Sequence, residues 1–189
     1  YWPGNVRELE NCVERTATMV TGDVIRDLAF PCRQNRCLTQ TLHFVEKADA
    51  VWIVPVTDAG EVLMVYQYRY TVDDWCWEIP AGSVKPGQSL EEAARDELRE
   101  EVGGQGGALT YVGRSYLANG ICNEVGHFFL ANGVAVGPTA HEAAEVMQVH
   151  RVPIAEALAM ARDGRISDGP TALALLLCAE RLLKIGMRD

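Results

Sequence analysis

The stretch from Ile79 to Gly103, IPAGSVKPGQSLEEAARDELREEVG, constrains the fold of this chain more than any other. A turn with two glycines and a proline leads to Ser89, and Ser89 with Glu92 makes an S-x-x-E capping box, so a helix is predicted to begin at Leu90. Leu90, Ala94, Leu98 and Val102 recur every fourth residue and form one apolar stripe. Beside that stripe, at roughly 100° per residue, lie Glu97 and Glu101, with Glu100 one step further round. Three carboxylates along the edge of a buried face are electrostatically costly unless a cation sits among them. A hard divalent cation with oxygen ligands meets that need.

A length of 189 residues suits one domain, or one domain with an appendage. No apolar run approaches the ~18 residues of a membrane span, and the longest, around Ala172 to Ala179, reads as a buried helix. No secretory signal is present, and the chain begins at Tyr1 and not at Met, which reads as a fragment or a processed product. The net charge of −9 is unevenly placed. Residues 1–42 hold five arginines and five acidic residues, so the remainder, with 12 basic and 21 acidic residues, carries all of it. Such a surface repels a nucleic-acid backbone at long range. It can still receive a phosphorylated small molecule if metal ions bridge the two negative partners. Six cysteines, at 12, 32, 37, 76, 122 and 178, contain no CxxC pair, so reduced thiols in a cytoplasm are expected.

Along the chain, residues 1–30 read as a small helical piece. Asn5 is an N-cap candidate, Val6, Leu9, Val13, Ala17 and Val20 have helical spacing, and Thr21-Gly22-Asp23 ends the helix. From Thr41 the period becomes that of strands: 42–45, 51–56, 62–66 and 75–79 before the central helix, then 109–116, 125–130 and 146–152 after it. Gly103 to Gly107 reads as a flexible break. Pro153 opens a helix to Ala161, and Asp168-Gly169-Pro170 precedes a last helix to Leu183. The pattern indicates α+β layering and not a doubly wound sheet, with a prefix at 1–40 and a main domain at 41–189.

The prefix WPGNVRELENCVERTATMVTGDVI resembles the end of the AAA+ ATPase domain of sigma-54-dependent activators, and among them the nitrogen-fixation activators. Cys12, Cys32 and Cys37 match the last three of that family's C-x11-C-x19-C-x4-C series. Arg7 matches an arginine that senses nucleotide there. The phosphate-binding loop, the acidic metal motif and a helix-turn-helix are absent from this sequence, so the prefix is read as a helical attachment.

The opening stretch resembles the Nudix box, G-x5-E-x7-R-E-U-x-E-E-x-G-U, in which U is bulky and aliphatic. Gly82, Glu97, Leu98, Glu100, Glu101 and Gly103 fall in register. Trp77-Glu78-Ile79-Pro80-Ala81-Gly82 is similar to the lead-in of the ADP-ribose pyrophosphatase branch. So are Gln67-Tyr68-Arg69, Gly120-x3-Glu124 before Phe128-Phe129-Leu130-Ala131, and Arg165-Ile166-Ser167-Asp168-Gly169. The resemblance spans roughly residues 43–185. Three positions depart from the pattern: Gln88 for the first Glu, Asp96 for the Arg, and Gly104 for the aliphatic residue. Asp96 stands four residues from Glu100, a like-charge pair worth about 0.2–0.5 kcal/mol against the helix.

The resemblance implies a Nudix-like α/β/α sandwich of mixed sheet and helices, hydrolysing the diphosphate of ADP-ribose or a similar nucleoside diphosphate sugar to AMP and ribose 5-phosphate. It implies Mg2+ or Mn2+ held by Glu97, Glu101 and the Ala81 carbonyl, with Glu100 assisting. The catalytic base is expected on a loop outside the box, at Glu145 or, second, Glu142. Arg69 is expected to meet a phosphate, Trp75 and Tyr70 to stack on a purine, and Glu78 and Glu124 to contact adenine or ribose groups. His127 and His150 read as structural, and the lone cysteines give no thiol nucleophile. A homodimer exchanging strands near Thr41–Glu46 is implied as well. The alternative, motivated by Gln88, Asp96 and the regulator-like prefix, is a module that binds a nucleotide with little or no turnover.

Overall fold

The computed structural model describes residues 24–29, 41–139 and 147–187. The helix expected between Asn5 and Val20, the cysteines at 12, 32 and 37, and Glu142 and Glu145 lie outside the described residues. By its internal contacts the chain divides into two units, one holding residues up to 48 with 116–125, the other holding 49–115 and 126 onward.

In the first unit β1 (Val24–Ala29) runs antiparallel to β2 (Thr41–Glu46), from Val24 opposite Glu46 to Ala29 opposite Thr41. The periodicity of the prefix gives no hint of β1. Its pattern departs from strand alternation because Arg26 and Asp27 interrupt the apolar residues. On the other side of β2, the Val45 amide donates to the Ile121 carbonyl at 2.8 Å. Asn123 Oδ1 accepts from the Lys47 amide at 2.9 Å, and Lys47 Nζ lies 3.2 Å from Glu124.

The second unit is a mixed sheet with helices on both faces. Its strands are β3 (Ala50–Val56), β4 (Glu61–Arg69), β5 (Asp74–Glu78), β6 (Ala81–Ser83), β7 (Gly104–Tyr116), β8 (Val125–Val136) and β9 (Met147–Pro153). The order is β5-β4-β3-β8-β7, with β6 also on β3 and β9 also on β4. β3 and β8 are parallel, from Ala50 opposite Gly126 to Val56 opposite Asn132. Both faces of β3 and β4 are covered, so these strands read as near-continuous apolar runs and not as alternating ones.

Helix α1 (Leu90–Val102) covers one face. Its Ala94, Leu98 and Val102 bury against Val51, Ile53, Leu63, Val65 and Phe129. Fully burying Leu98 or Val102 contributes about 1.5–3 kcal/mol each. Helices α2 (Ile154–Asp163) and α3 (Gly169–Gly186) cover the other face over Val54, Val62, Met64 and Phe128. The α2 start after Pro153 follows the expectation, and Asp168 caps α3 by accepting from the Thr171 amide at 2.8 Å. The Asp168-Gly169-Pro170 signal therefore acts as a helix start.

Three further segments differ from the sequence reading. The glycine run at 103–107 is not a flexible break: Gly103 is the left-handed C-cap of α1 (φ 64°), and β7 begins at once at Gly104. Gly106 and Gly107 hold φ of 69° and 75° inside that strand, a place where glycine carries an irregular pairing. The turn after Pro80 contains β6, and β8 runs six residues past the expected end. No helix among the described residues is long and apolar enough to cross a membrane.

Candidate functional site

The capping box that begins α1 is complete. Ser89 Oγ accepts from the Glu92 amide at 3.2 Å, and the Glu92 carboxylate accepts from the Ser89 amide at 2.8 Å. A fixed start sets the rotation of every later residue on the helix. It turns the apolar stripe onto the sheet and leaves Glu97 and Glu101, one turn apart, facing β6.

Both carboxylates reach consecutive residues of that strand. Glu101 is 8% exposed, and its Oε2 accepts from the Ala81 amide at 3.2 Å. Glu97 lies over Gly82: a Cβ added there would stand 2.1 Å from Glu97 Oε1 and 2.7 Å from Oε2. A side chain at 82 would enter the space that the Glu97 carboxylate occupies. β6 is held in turn by β3, with Gly82 opposite Val51 and Ala81 opposite Trp52. Glu100 sits further round, 40% exposed, on Arg99 at 3.2 Å.

This donor set suits a hard cation. Among the described residues no three His, Cys, Asp or Glu side chains converge as a preformed cage. Magnesium does not need one, because it keeps several waters and binds through one or two carboxylates plus substrate phosphates. Glu97 over Gly82, with buried Glu101 beside it, puts two oxygen-donor side chains against consecutive residues of β6.

Two of the three departures from the box are linked to each other. Gln88 Nε2 donates to Asp96 Oδ2 at 2.9 Å. Arg99 donates to Asp96 Oδ1 at 2.8 Å and to Glu100. The Asp96–Glu100 repulsion is therefore bridged by Arg99, and its guanidinium is held above its ordinary value chiefly by the hydrogen bond to Asp96. The third departure has a steric cause: a Cβ on Gly104 would stand 2.6 Å from Leu98 Cδ1.

Arg69 and Glu78 meet across β4 and β5. Glu78, 3% exposed, accepts from Arg69 Nε at 2.7 Å and from Gln67 Nε2 at 3.0 Å. The Arg69 guanidinium is held above its usual value, first by hydrogen bonding to Glu78 and also by the charges of Asp168 and Glu101, with burial opposing. This pair lines a cleft of about 440 Å³ with Thr71, Asp74, Ser167 and Asp168. Sequence spacing marked Arg69 and Glu78 individually but not their pairing, which needs the hairpin register that sets Val65 opposite Glu78 and Gln67 opposite Cys76.

Trp75 is on the opposite face of that hairpin, as strand alternation requires. Its ring stacks on Tyr66 with centroids 5.2 Å apart. Tyr70, at the hairpin tip, is 88% exposed. Glu124 belongs to the first unit, on Lys47. His127 is buried between Asp49 and Tyr111, each at 3.2 Å, and His150 packs against Trp77 at 4.9 Å. Burial pushes the Cys178 thiol up to about 11, against a smaller opposing effect of Arg181, so it is not a nucleophile at neutral pH.

Comparison with known proteins gives two matches of different extent. The family model described as NUDIX domain matches residues 46–173, and the model of the AAA+ ATPase lid domain matches residues 1–37. The ADP-ribose pyrophosphatase of Bacillus subtilis (strain 168) is 33% identical over 135 residues, covering 70% of this chain and 73% of that protein. The ADP-ribose pyrophosphatase of Mycobacterium tuberculosis is 39% identical over 129 residues, 67% of this chain and 62% of that one. The Nif-specific regulatory protein of Herbaspirillum seropedicae is 61% identical over 56 residues, but this chain spans only 10% of its length. In fold, the crystal structure of an ADP compounds hydrolase superposes with a TM-score of 0.70 at 20% identity, covering 88% of this chain and 97% of the other.

Proposed function

Because this chain belongs to the Nudix hydrolase family and is related to ADP-ribose pyrophosphatases, we propose that it hydrolyses the diphosphate of ADP-ribose, or of a similar nucleoside diphosphate sugar, to AMP and ribose 5-phosphate. The observation that carries this reading is the placement of Glu97 and Glu101 on two consecutive residues, Gly82 and Ala81. Glu97, Glu101 and the Ala81 carbonyl would hold Mg2+ or Mn2+, with Glu100 at the outer margin. A divalent ion bound there supplies charge neutralisation of the diphosphate and a water of lowered pKa.

The chain's own residues supply the rest. Glu145 is assigned as the base that takes the proton of the attacking water, with Glu142 as the second candidate. The water oxygen bonds to one phosphorus, and the bridging oxygen leaves with the other phosphate. Arg69 has five N–H donors; Glu78 takes those on one edge, and the remainder are assigned to a phosphate. The carboxylates and hydroxyls around the cleft, with Glu78 at its inner wall, suit ribose hydroxyls. Trp75, on the edge strand β5 and on the other face of the hairpin from this cleft, is assigned a nucleoside contact of its own, tested by a raised KM with unchanged kcat in Trp75→Ala.

Residues 1–40 are assigned as an attachment to a catalytic domain at 41–189, with β1 of the attachment paired to β2. A homodimer in the cytoplasm completes the proposal, and light scattering that gives the mass of one chain would exclude the dimer. The chemistry is tested by incubating the full chain with ADP-ribose and Mg2+. AMP formation lost in Glu97→Gln supports the enzyme. Tight ADP-ribose binding with no AMP formed would establish a nucleotide-binding module instead, the reading that the regulator-like prefix favours.

A further inference from the structure

Asp96 and Gln88 look at first like two separate losses. The hydrogen bonds make them one arrangement. The Lys85 amide donates to Gln88 Oε1 at 3.1 Å, which fixes the orientation of that amide and turns its Nε2 toward Asp96. A glutamate at 88 would bring a second carboxylate against Asp96, so the neutral amide is what Asp96 demands. With Oδ2 taken by Gln88, Asp96 offers Oδ1 to Arg99 at 2.8 Å. The same terminal nitrogen of Arg99 reaches Glu100 Oε1 at 3.2 Å. One guanidinium therefore joins two carboxylates that stand four residues apart on α1, and the loop before the helix anchors the far end.

We infer that Arg99 is a positioning residue of the diphosphatase centre, seated by Asp96 and Gln88 and holding the Glu100 carboxylate in the direction from which it serves the cation. This rests on the assignment of Glu97, Glu100 and Glu101 to the metal, and it explains how a box with Asp96 in place of arginine can still be ordered. Arg99 is half-exposed, as are Asp96 and Glu100, so the chain of contacts acts by geometry and not by a large gain in stability. Arg95 is the internal contrast: it lines the same open groove but pairs outward with Glu91, away from Glu100.

The sign of one measurement separates positioning from simple charge. Removing a positive charge beside a divalent cation should tighten metal binding if Coulomb repulsion were all that Arg99 contributed. Loss of orientation weakens it instead. In the metal-free full chain, titrated with Mn2+ and followed by electron paramagnetic resonance, Arg99→Gln is expected to raise the Mn2+ Kd about tenfold, the lower end of what removing a ligand's supporting partner costs. Arg95→Gln should leave it unchanged.

In a double-mutant cycle, Asp96→Asn should weaken Mn2+ binding less in the Arg99→Gln background than in the parent, because without Arg99 there is nothing for Asp96 to seat. With ADP-ribose as substrate, Arg99→Gln should lower kcat about tenfold with little change in KM. Unchanged or tighter Mn2+ binding in Arg99→Gln overturns the inference, and so does an Asp96→Asn effect as large in the Arg99→Gln background as in the parent. If the unmutated chain does not cleave ADP-ribose, the diphosphatase reading fails, while the Mn2+ series still decides whether Arg99 positions Glu100.

Discussion

Replacing Gly82 by alanine is the most demanding test of the geometry around Glu97. The new Cβ would lie 2.1 Å from Glu97 Oε1 and 2.2 Å from its Cδ, where ordinary contact begins at 3.4 Å, so the carboxylate must retreat by at least about 1.3 Å. The atom that gives way is the free end of a flexible side chain, so the cost to folding is small, within about 1 kcal/mol. The cost to function is not small, because a displacement of about 1 Å at reacting groups costs on the order of 100-fold in rate.

Gly82→Ala is therefore expected to keep its far-UV circular dichroism and to melt within a few degrees of the parent, while kcat for Mg2+-dependent ADP-ribose hydrolysis falls about 100-fold. Thermal melting and a coupled AMP assay on the same preparation decide it. Full activity would show that the Glu97 carboxylate does not work from the cradle over Gly82. Loss of folding would show that β6 and not Glu97 is what the glycine protects. Either result refutes the argument.

Three further outcomes follow from the same structure. Glu78→Gln leaves a buried position that no longer matches the fork of Arg69, and should lower unfolding stability by about 1–3 kcal/mol, read from a urea midpoint at constant m-value, with KM for ADP-ribose raised. Ser89→Ala removes the side-chain half of the capping box and should cost about 1 kcal/mol in the same measurement, with KM unchanged. Gly104→Val restores the aliphatic residue of the box but would drive a Cβ to 2.6 Å from Leu98 Cδ1 and 3.0 Å from Val134 Cγ1. Over-packing of this kind should destabilise by about 1–3 kcal/mol, and a stabilised Gly104→Val would contradict the steric account.

What could be read from the residues, and what could not, follows the range of the interactions. The helix at Leu90–Val102 was legible because its signals are local: a cap, its partner three residues on, and a four-residue apolar period. The same holds for the start of α3 at Asp168-Gly169-Pro170. The strand β6 was not legible, since three residues with two of them small and one polar show no alternation, and only pairing with β3 makes them a strand.

The glycines at 103–107 looked like a break because sequence marks conformational freedom and not the contacts that use it. Gly103 and Gly104 are there because Gly137 and Leu98 fill the space beside them. In the site, Glu97 and Glu101 followed from helical period, whereas the Arg69–Glu78 pairing depended on hairpin register. Asp96 and Gln88 looked like defects singly, because their hydrogen bond joins a loop to a helix across eight residues. The resemblance of the chain to the Nudix family extends over the residues the family model matches, 46–173, and the two-faced sheet is the fold it implied.

The edge of α1 facing β6 is assigned as the diphosphatase centre. Its most direct measurement is the product of ADP-ribose incubated with the full chain and Mg2+, separated by ion-exchange chromatography, for the parent and for Glu97→Gln. AMP and ribose 5-phosphate are expected in equal amounts from the parent, with none after chelation of Mg2+ and at least about 100-fold less from Glu97→Gln. Equal rates of AMP release from the parent and from Glu97→Gln would contradict that assignment.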